Sequence, residues 1–152
     1  MLITRRTFGL LAAASLAACG RSSAAPARGN LHQGETPQMR ALIRKYAEIH
    51  DIPESLLHRV IQRESDYNAA ARNGPYYGLM QILPQTARTM GYRGTPSGLL
   101  DAETNLKYAG RYLRGAWLVA PRNEARAVMW YAKGYYYEAK LMGLLEETGL
   151  RT

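Results

Sequence analysis

Apolar residues recur at helical spacing along this chain in short blocks, each closed by proline, glycine or a polar run. Between Thr36 and Asp51, the residues Met39, Leu42, Ile43, Tyr46 and Ala47 fall on one face at intervals of three and four, the signature of an amphipathic helix. Thr36 followed by Pro37 supplies an N-cap and a first-turn proline for it. A second block begins at Ile52-Pro53-Glu54 and carries Leu56, Leu57, Val60 and Ile61. Further helix starts are predicted at Pro84, ended by Gly91, and at Asp101, where Leu106, Ala109, Leu113 and Trp117 share a face. Another helix is predicted from about Asn123 to Ala132, and a last one from about Tyr135 to Leu145. No segment sustains an alternation of period two, so the pattern predicts a mainly α domain with little or no β-sheet.

One polar residue interrupts this pattern. Glu64 follows Val60 by four, Ile61 by three and Leu57 by seven, so the apolar stripe of the second helix runs into a carboxylate. A carboxyl group at the wall of a core loses hydration of its charged form, which raises its pKa and suits it to general-acid work near neutral pH. Periodicity equally allows the helix to end at Glu64 with the side chain bent to solvent or paired with a basic residue.

Length and composition bound the remaining possibilities. The 152 residues have room for one domain, and 47% hydrophobic content is enough for a core. A single cysteine excludes an internal disulfide and a thiolate zinc cluster. The histidines His32, His50 and His58 have neither mutual helical ligand spacing nor cysteine partners, so no metal and no cofactor are expected, and His50 and His58 read as surface residues. Eleven Tyr and two Trp against one Phe favour a half-wet groove, because these rings combine an apolar body with a polar tip.

The formal charge of +8 admits a polyanionic partner. The N-terminus decides which kind. Arg5-Arg6 is followed by an apolar run from Phe8 to Ala18 and then by Cys19, the layout of an export signal and too short for the roughly 20 residues of a membrane span. Thr4 to Leu10 resembles a twin-arginine signal, and Leu16-Ala17-Ala18-Cys19 resembles the lipobox of bacterial lipoproteins. That resemblance implies cleavage before Cys19 and its lipidation, which lowers the net charge to +6 by removing two arginines. Residues 1–18 are thus expected to be a signal peptide, 19–35 a flexible tether and 36–152 the functional domain. Export also argues against a nucleic-acid partner.

The chain after Glu64 carries further motifs. Glu64-Ser65 is followed, across a polar loop, by Gly78-Leu79-Met80-Gln81, and later by Trp130-Tyr131-Ala132-Lys133-Gly134. From about Pro53 to Gly134 this resembles the soluble-lytic-transglycosylase-like family, whose members have a lysozyme-like helical fold and cleave peptidoglycan. Its first two motifs are intact. In the third, Ala132 stands where the family usually has asparagine. The resemblance implies a substrate groove with Glu64 as catalytic acid. Ser65 and Gln81 would hold polar groups, Met80 an apolar floor, the Gly78 backbone a close approach, and Tyr131 a position near the acid. Tyr135, Tyr136 and Tyr137 either line the groove or begin the last helix.

Glycosidases of the common kind use two carboxyl groups, but the nearest acid to Glu64 is Asp66, two residues on and on another helical face. Distant acids such as Asp101, Glu103 and Glu138 remain open at this level. The resemblance implies instead that one carboxyl suffices. Glu64 would act as acid and then base, cutting between N-acetylmuramic acid and N-acetylglucosamine and leaving 1,6-anhydromuramoyl ends. The expected setting is the periplasm, with a lipid anchor in the outer membrane and glycan strands as partner. A lysozyme-type hydrolase and a non-catalytic wall-binding lipoprotein, the latter favoured by Ala132, are the alternatives.

Overall fold

The computed structural model describes residues 30–151. The signal, Cys19 and most of the expected tether lie outside them. Among the described residues there are six α-helices: α1 (Pro37–His50), α2 (Glu54–Glu64), α3 (Pro84–Thr89), α4 (Ala102–Leu118), α5 (Glu124–Lys133) and α6 (Tyr136–Leu141). A 3-10 turn at Pro96–Leu100 and a two-residue hairpin, β1 (Arg72–Asn73) paired antiparallel with β2 (Tyr76–Tyr77), complete the set.

The helix ends follow local chemistry. Thr36 caps α1 by accepting the Met39 N–H at 3.1 Å, and Asp51 closes it in a left-handed conformation. Asp101 caps α4 by accepting the Thr104 N–H at 2.8 Å, and Asn123 caps α5 by accepting the Arg126 N–H at 2.9 Å. The last helix stops at Leu141, earlier than its apolar pattern predicts, because Gly143 turns the chain at a positive φ. Leu144 and Leu145 still pack on the core from the following turns.

The longest helix, α4, is the spine of the domain. It packs against α1, α3 and α5, while α2 lies against α1 and α5. Leu56, Leu57, Val60 and Ile61 of α2 are wholly buried, as are Leu106, Ala109 and Leu113 of α4; a large aliphatic side chain buried in this way contributes about 1.5–3 kcal/mol. Gly115 lets the ring of Tyr135 pass close to α4, since a Cβ there would stand 2.2 Å from the phenol oxygen. That oxygen donates to the Tyr112 carbonyl at 2.8 Å. Tyr135 is therefore a core residue, and Tyr136 and Tyr137 are exposed on α6.

Two expectations are corrected. Residues 30–35 are part of the folded domain, not tether: Glu35 is buried and accepts from Arg40 of α1 through both carboxylate oxygens, at 2.5 and 2.6 Å. His58 is buried rather than on the surface, with Nδ1 2.7 Å from the Tyr67 hydroxyl, and half-buried His50 sets Nε2 3.0 Å from the Leu106 carbonyl. A helical wheel sets His58 at the edge of the apolar stripe, between Ile61 and Gln62, without revealing that residues 30–35 and Tyr67 close over it.

Candidate active site

Glu64 is the last residue of α2, where the buried stripe meets the surface. The helix does end here, as periodicity allowed, but the carboxyl lines a pocket and its side chain keeps only 23% exposure. Burial raises its pKa above the ordinary carboxylate value, and Arg63, with Nε 3.6 Å from Oε1, opposes that shift. Beyond Ser65, Asp66 and Tyr67 both take positive φ, 49° and 65°. This is an unfavourable region for side-chain-bearing residues. It turns the chain abruptly out of the helix, and the Ser65 hydroxyl donates to the Leu79 carbonyl at 2.7 Å, tying the helix end to the Gly78–Gln81 segment.

That segment is held from beneath by a residue the sequence reading did not single out. Asn105 of α4 is wholly buried; its Oδ1 accepts the Met80 N–H at 2.9 Å, and its Nδ2 donates to the Tyr77 and Leu99 carbonyls at 2.9 and 2.8 Å. A sign of it was available, since Asn105 precedes Ala109 by four and Leu113 by eight, a polar residue on a core-facing stripe. Gly78 is required at this junction. It has φ +76°, and a Cβ would stand 2.1 Å from the Leu99 carbonyl oxygen and 2.3 Å from Asn105 Nδ2.

Gln81 adopts φ 48° and spends its amide N–H groups on the Gly78 and Ala71 carbonyls, at 2.8 and 3.1 Å. From the opposite wall, the Tyr131 hydroxyl donates to the Met80 carbonyl at 2.8 Å. Burial raises the Tyr131 pKa well above the usual phenol value, with the charge of Glu64 acting the same way, so the ring stays a neutral phenol.

Glu64, Gln81 and Tyr131 converge on one pocket of about 320 Å³, together with Arg63, Asn73, Tyr76 and Ala132. Ser65, Gly78 and Met80 are not among its lining residues. Ser65 bonds to backbone, Gly78 packs on Asn105, and Met80 is wholly buried, offering its N–H and C=O to the scaffold. Cys19 lies outside the described residues.

Glu64 is the sole acid among the seven lining residues. The more distant acids are engaged elsewhere: Asp101 caps α4, and Glu103 pairs with Lys45 at 2.6 Å. Glu138 lies on α6 and does not line the pocket. A larger depression of about 560 Å³ beside α1 and α4 is lined by three acids, of which Asp51 pairs with Arg114 and Glu54 with Arg44, at 3.3 and 3.5 Å. The pocket at Glu64 therefore combines a desolvated carboxyl with polar groups of fixed orientation, which suits proton donation to a substrate oxygen.

A separate cluster lies outside this pocket. His32, Glu35 and His58 bring one ligand-type atom each to within 4.8 Å of one another. The expectation of no metal-binding arrangement rested on linear spacing, which does not show that residues 32 and 35 fold back onto α2.

A family model described as the Transglycosylase SLT domain matches residues 41–141. The mainly helical architecture, with a single two-stranded hairpin among the described residues, agrees with the lysozyme-like fold of that family. No solved structure matches the chain.

Proposed function

The chain belongs to the transglycosylase SLT domain family, and on that premise we propose that it is a peptidoglycan lytic transglycosylase working through Glu64 alone. The observation that carries this reading is the single carboxyl in the pocket. A hydrolase of the two-carboxylate kind needs a second group to act as nucleophile or to activate water, whereas a transglycosylase takes its nucleophile from the substrate.

In the proposed reaction, Glu64 enters protonated and gives its proton to the oxygen joining N-acetylmuramic acid to N-acetylglucosamine. The bond from the muramoyl anomeric carbon to that oxygen breaks, and the neighbouring acetamido oxygen supports the carbon as positive charge develops. Glu64, now a carboxylate, takes the proton of the muramoyl C6 hydroxyl, and that oxygen closes on the anomeric carbon to give the 1,6-anhydro end. The proton lost in the first step is regained in the second, and no water is consumed. The raised pKa of Glu64 supports the first step. Tyr131, its hydrogen committed to Met80, faces the same pocket as a neutral phenol and adds no charge beside Glu64. Arg63, Asn73, Tyr76 and Gln81 supply polar and aromatic contacts to the glycan.

We further propose that the protein works in the periplasm, lipid-anchored through Cys19 in the outer membrane, as the Leu16-Ala17-Ala18-Cys19 sequence supports. The activity is tested by digesting purified sacculi and weighing the released muropeptides by mass spectrometry. Anhydro ends are the expected result. Hydrated reducing ends would establish a lysozyme-type hydrolase, and sacculus binding without soluble products would establish the wall-binding alternative that Ala132 favours.

A further inference from the structure

We propose that His32, Glu35 and His58 form a binding site for one divalent transition-metal ion of the zinc type, which fastens residues 30–35 onto α2. Two imidazoles and a carboxylate are donors that suit such an ion, and here they come from two segments that only the fold unites. His32 and Glu35 flank a tight turn closed by the Glu35 N–H to His32 carbonyl bond at 3.0 Å, and His58 rises from the middle of α2. Their ligand atoms lie within 4.8 Å of one another. Donors bound to zinc at about 2.0–2.2 Å stand roughly 3.4 Å apart in a tetrahedron, so small side-chain rotations complete the geometry.

The surroundings orient these donors. His58 Nε2 is 3.4 Å from Glu54 Oε1, so an Nε2–H donated to that carboxylate leaves the lone pair on Nδ1. That Nδ1 is 4.0 Å from Glu35 Oε1 and 2.7 Å from the Tyr67 hydroxyl. Gln62 Nε2 donates to His32 Nδ1 at 2.9 Å, a bond that an ion on Nδ1 would replace, and the His32 ring stacks on Tyr67 at 5.7 Å and tilts against His58 at 4.8 Å. Arg40 donates to both oxygens of Glu35, and the His32 N–H also donates to Oε2. Oε1 carries only the Arg40 Nε–H of these three donors, so its second lone pair remains for the ion. The guanidinium beside it costs affinity by repulsion but fixes the carboxylate. The fourth position falls to water or to the Tyr67 oxygen.

The cluster stands apart from Glu64's pocket, so this inference does not depend on the glycan chemistry. It is tested by isothermal titration of the chelator-treated protein with Zn2+, alongside thermal melts with and without the ion. Binding of one equivalent, with a higher melting temperature, is expected. Exposed His32 can be replaced without opening the core, and His32→Ala should weaken binding by more than about 100-fold and abolish the thermal shift. Glu54→Gln should weaken it by roughly 10–100-fold, the usual worth of an outer partner of a metal-bound histidine. Failure of Zn2+ to bind, or unchanged binding by a folded His32→Ala protein, overturns the proposal.

Discussion

The hydroxyl of Tyr131 donates to the carbonyl of Met80 at 2.8 Å, joining α5 to the Gly78–Gln81 segment behind the lining of the Glu64 pocket. Tyr131→Phe keeps the ring and removes the bond, leaving a buried carbonyl without this donor. Urea denaturation should register a loss of about 1–2 kcal/mol. Turnover on sacculi should fall while sacculus binding persists, because the Gly78–Gln81 segment loses its tie to α5 while the other residues lining the pocket are unchanged.

Asn105 governs the same segment from below. Asn105→Leu is close in size but deprives the Met80 N–H and the Leu99 carbonyl of their partners. A destabilisation of about 2–4 kcal/mol is expected from equilibrium unfolding. Hydrogen exchange at the Met80 amide should accelerate more than exchange in α1, since the change is local to the loop. Equal acceleration everywhere would show that Asn105 acts on the whole core instead.

Glu64 has a folded-state pKa above its unfolded value because burial disfavours the charged form. The sign follows: its contribution to stability is full below the ordinary carboxylate pKa and is lost as pH rises through the raised folded value. Glu64→Gln should therefore be more stable than the parent at pH 7, with the difference vanishing in acid. Anhydromuropeptide release should drop by about 100-fold or more. The parent's activity should decline as pH passes upward through the Glu64 pKa. Retention of full activity by Glu64→Gln would remove it from the catalytic role.

Ala132 is exposed and lines the pocket beside Tyr131. Ala132→Asn should leave stability within about 0.7 kcal/mol, the helix-propensity cost of asparagine at an exposed position. If a missing polar contact limits this protein, the substitution raises the rate of anhydromuropeptide release. An unchanged rate in the variant would show that the groove works without it.

The proposed lipid anchor is tested by fractionation. Cys19→Ala should move the protein from the membrane fraction to the soluble periplasm, and unchanged partitioning would refute lipidation. Because one acyl chain binds membranes only marginally, the full lipoprotein modification is needed for stable attachment.

The helices of this domain were legible in the sequence because their signals are local. Thr36 and Pro37, Asp101 and Asn123 mark helix starts through bonds to residues three positions away or through a fixed φ. The buried stripes of α1, α2 and α4 follow from a 3.6-residue period. Glu64 stood out for the same reason, as a carboxylate continuing an apolar stripe. What tertiary structure alone decided was which groups meet. Residues distant in sequence become neighbours only when α4 brings Asn105 beneath Met80 and α5 brings Tyr131 above it. Long-range packing also turned Ser65, Gly78 and Met80 into scaffold, leaving Gln81 and Tyr131 in the pocket with the acid. It likewise gathered His32, Glu35 and His58, whose linear spacing is silent because their proximity depends on residues 30–35 folding back onto α2.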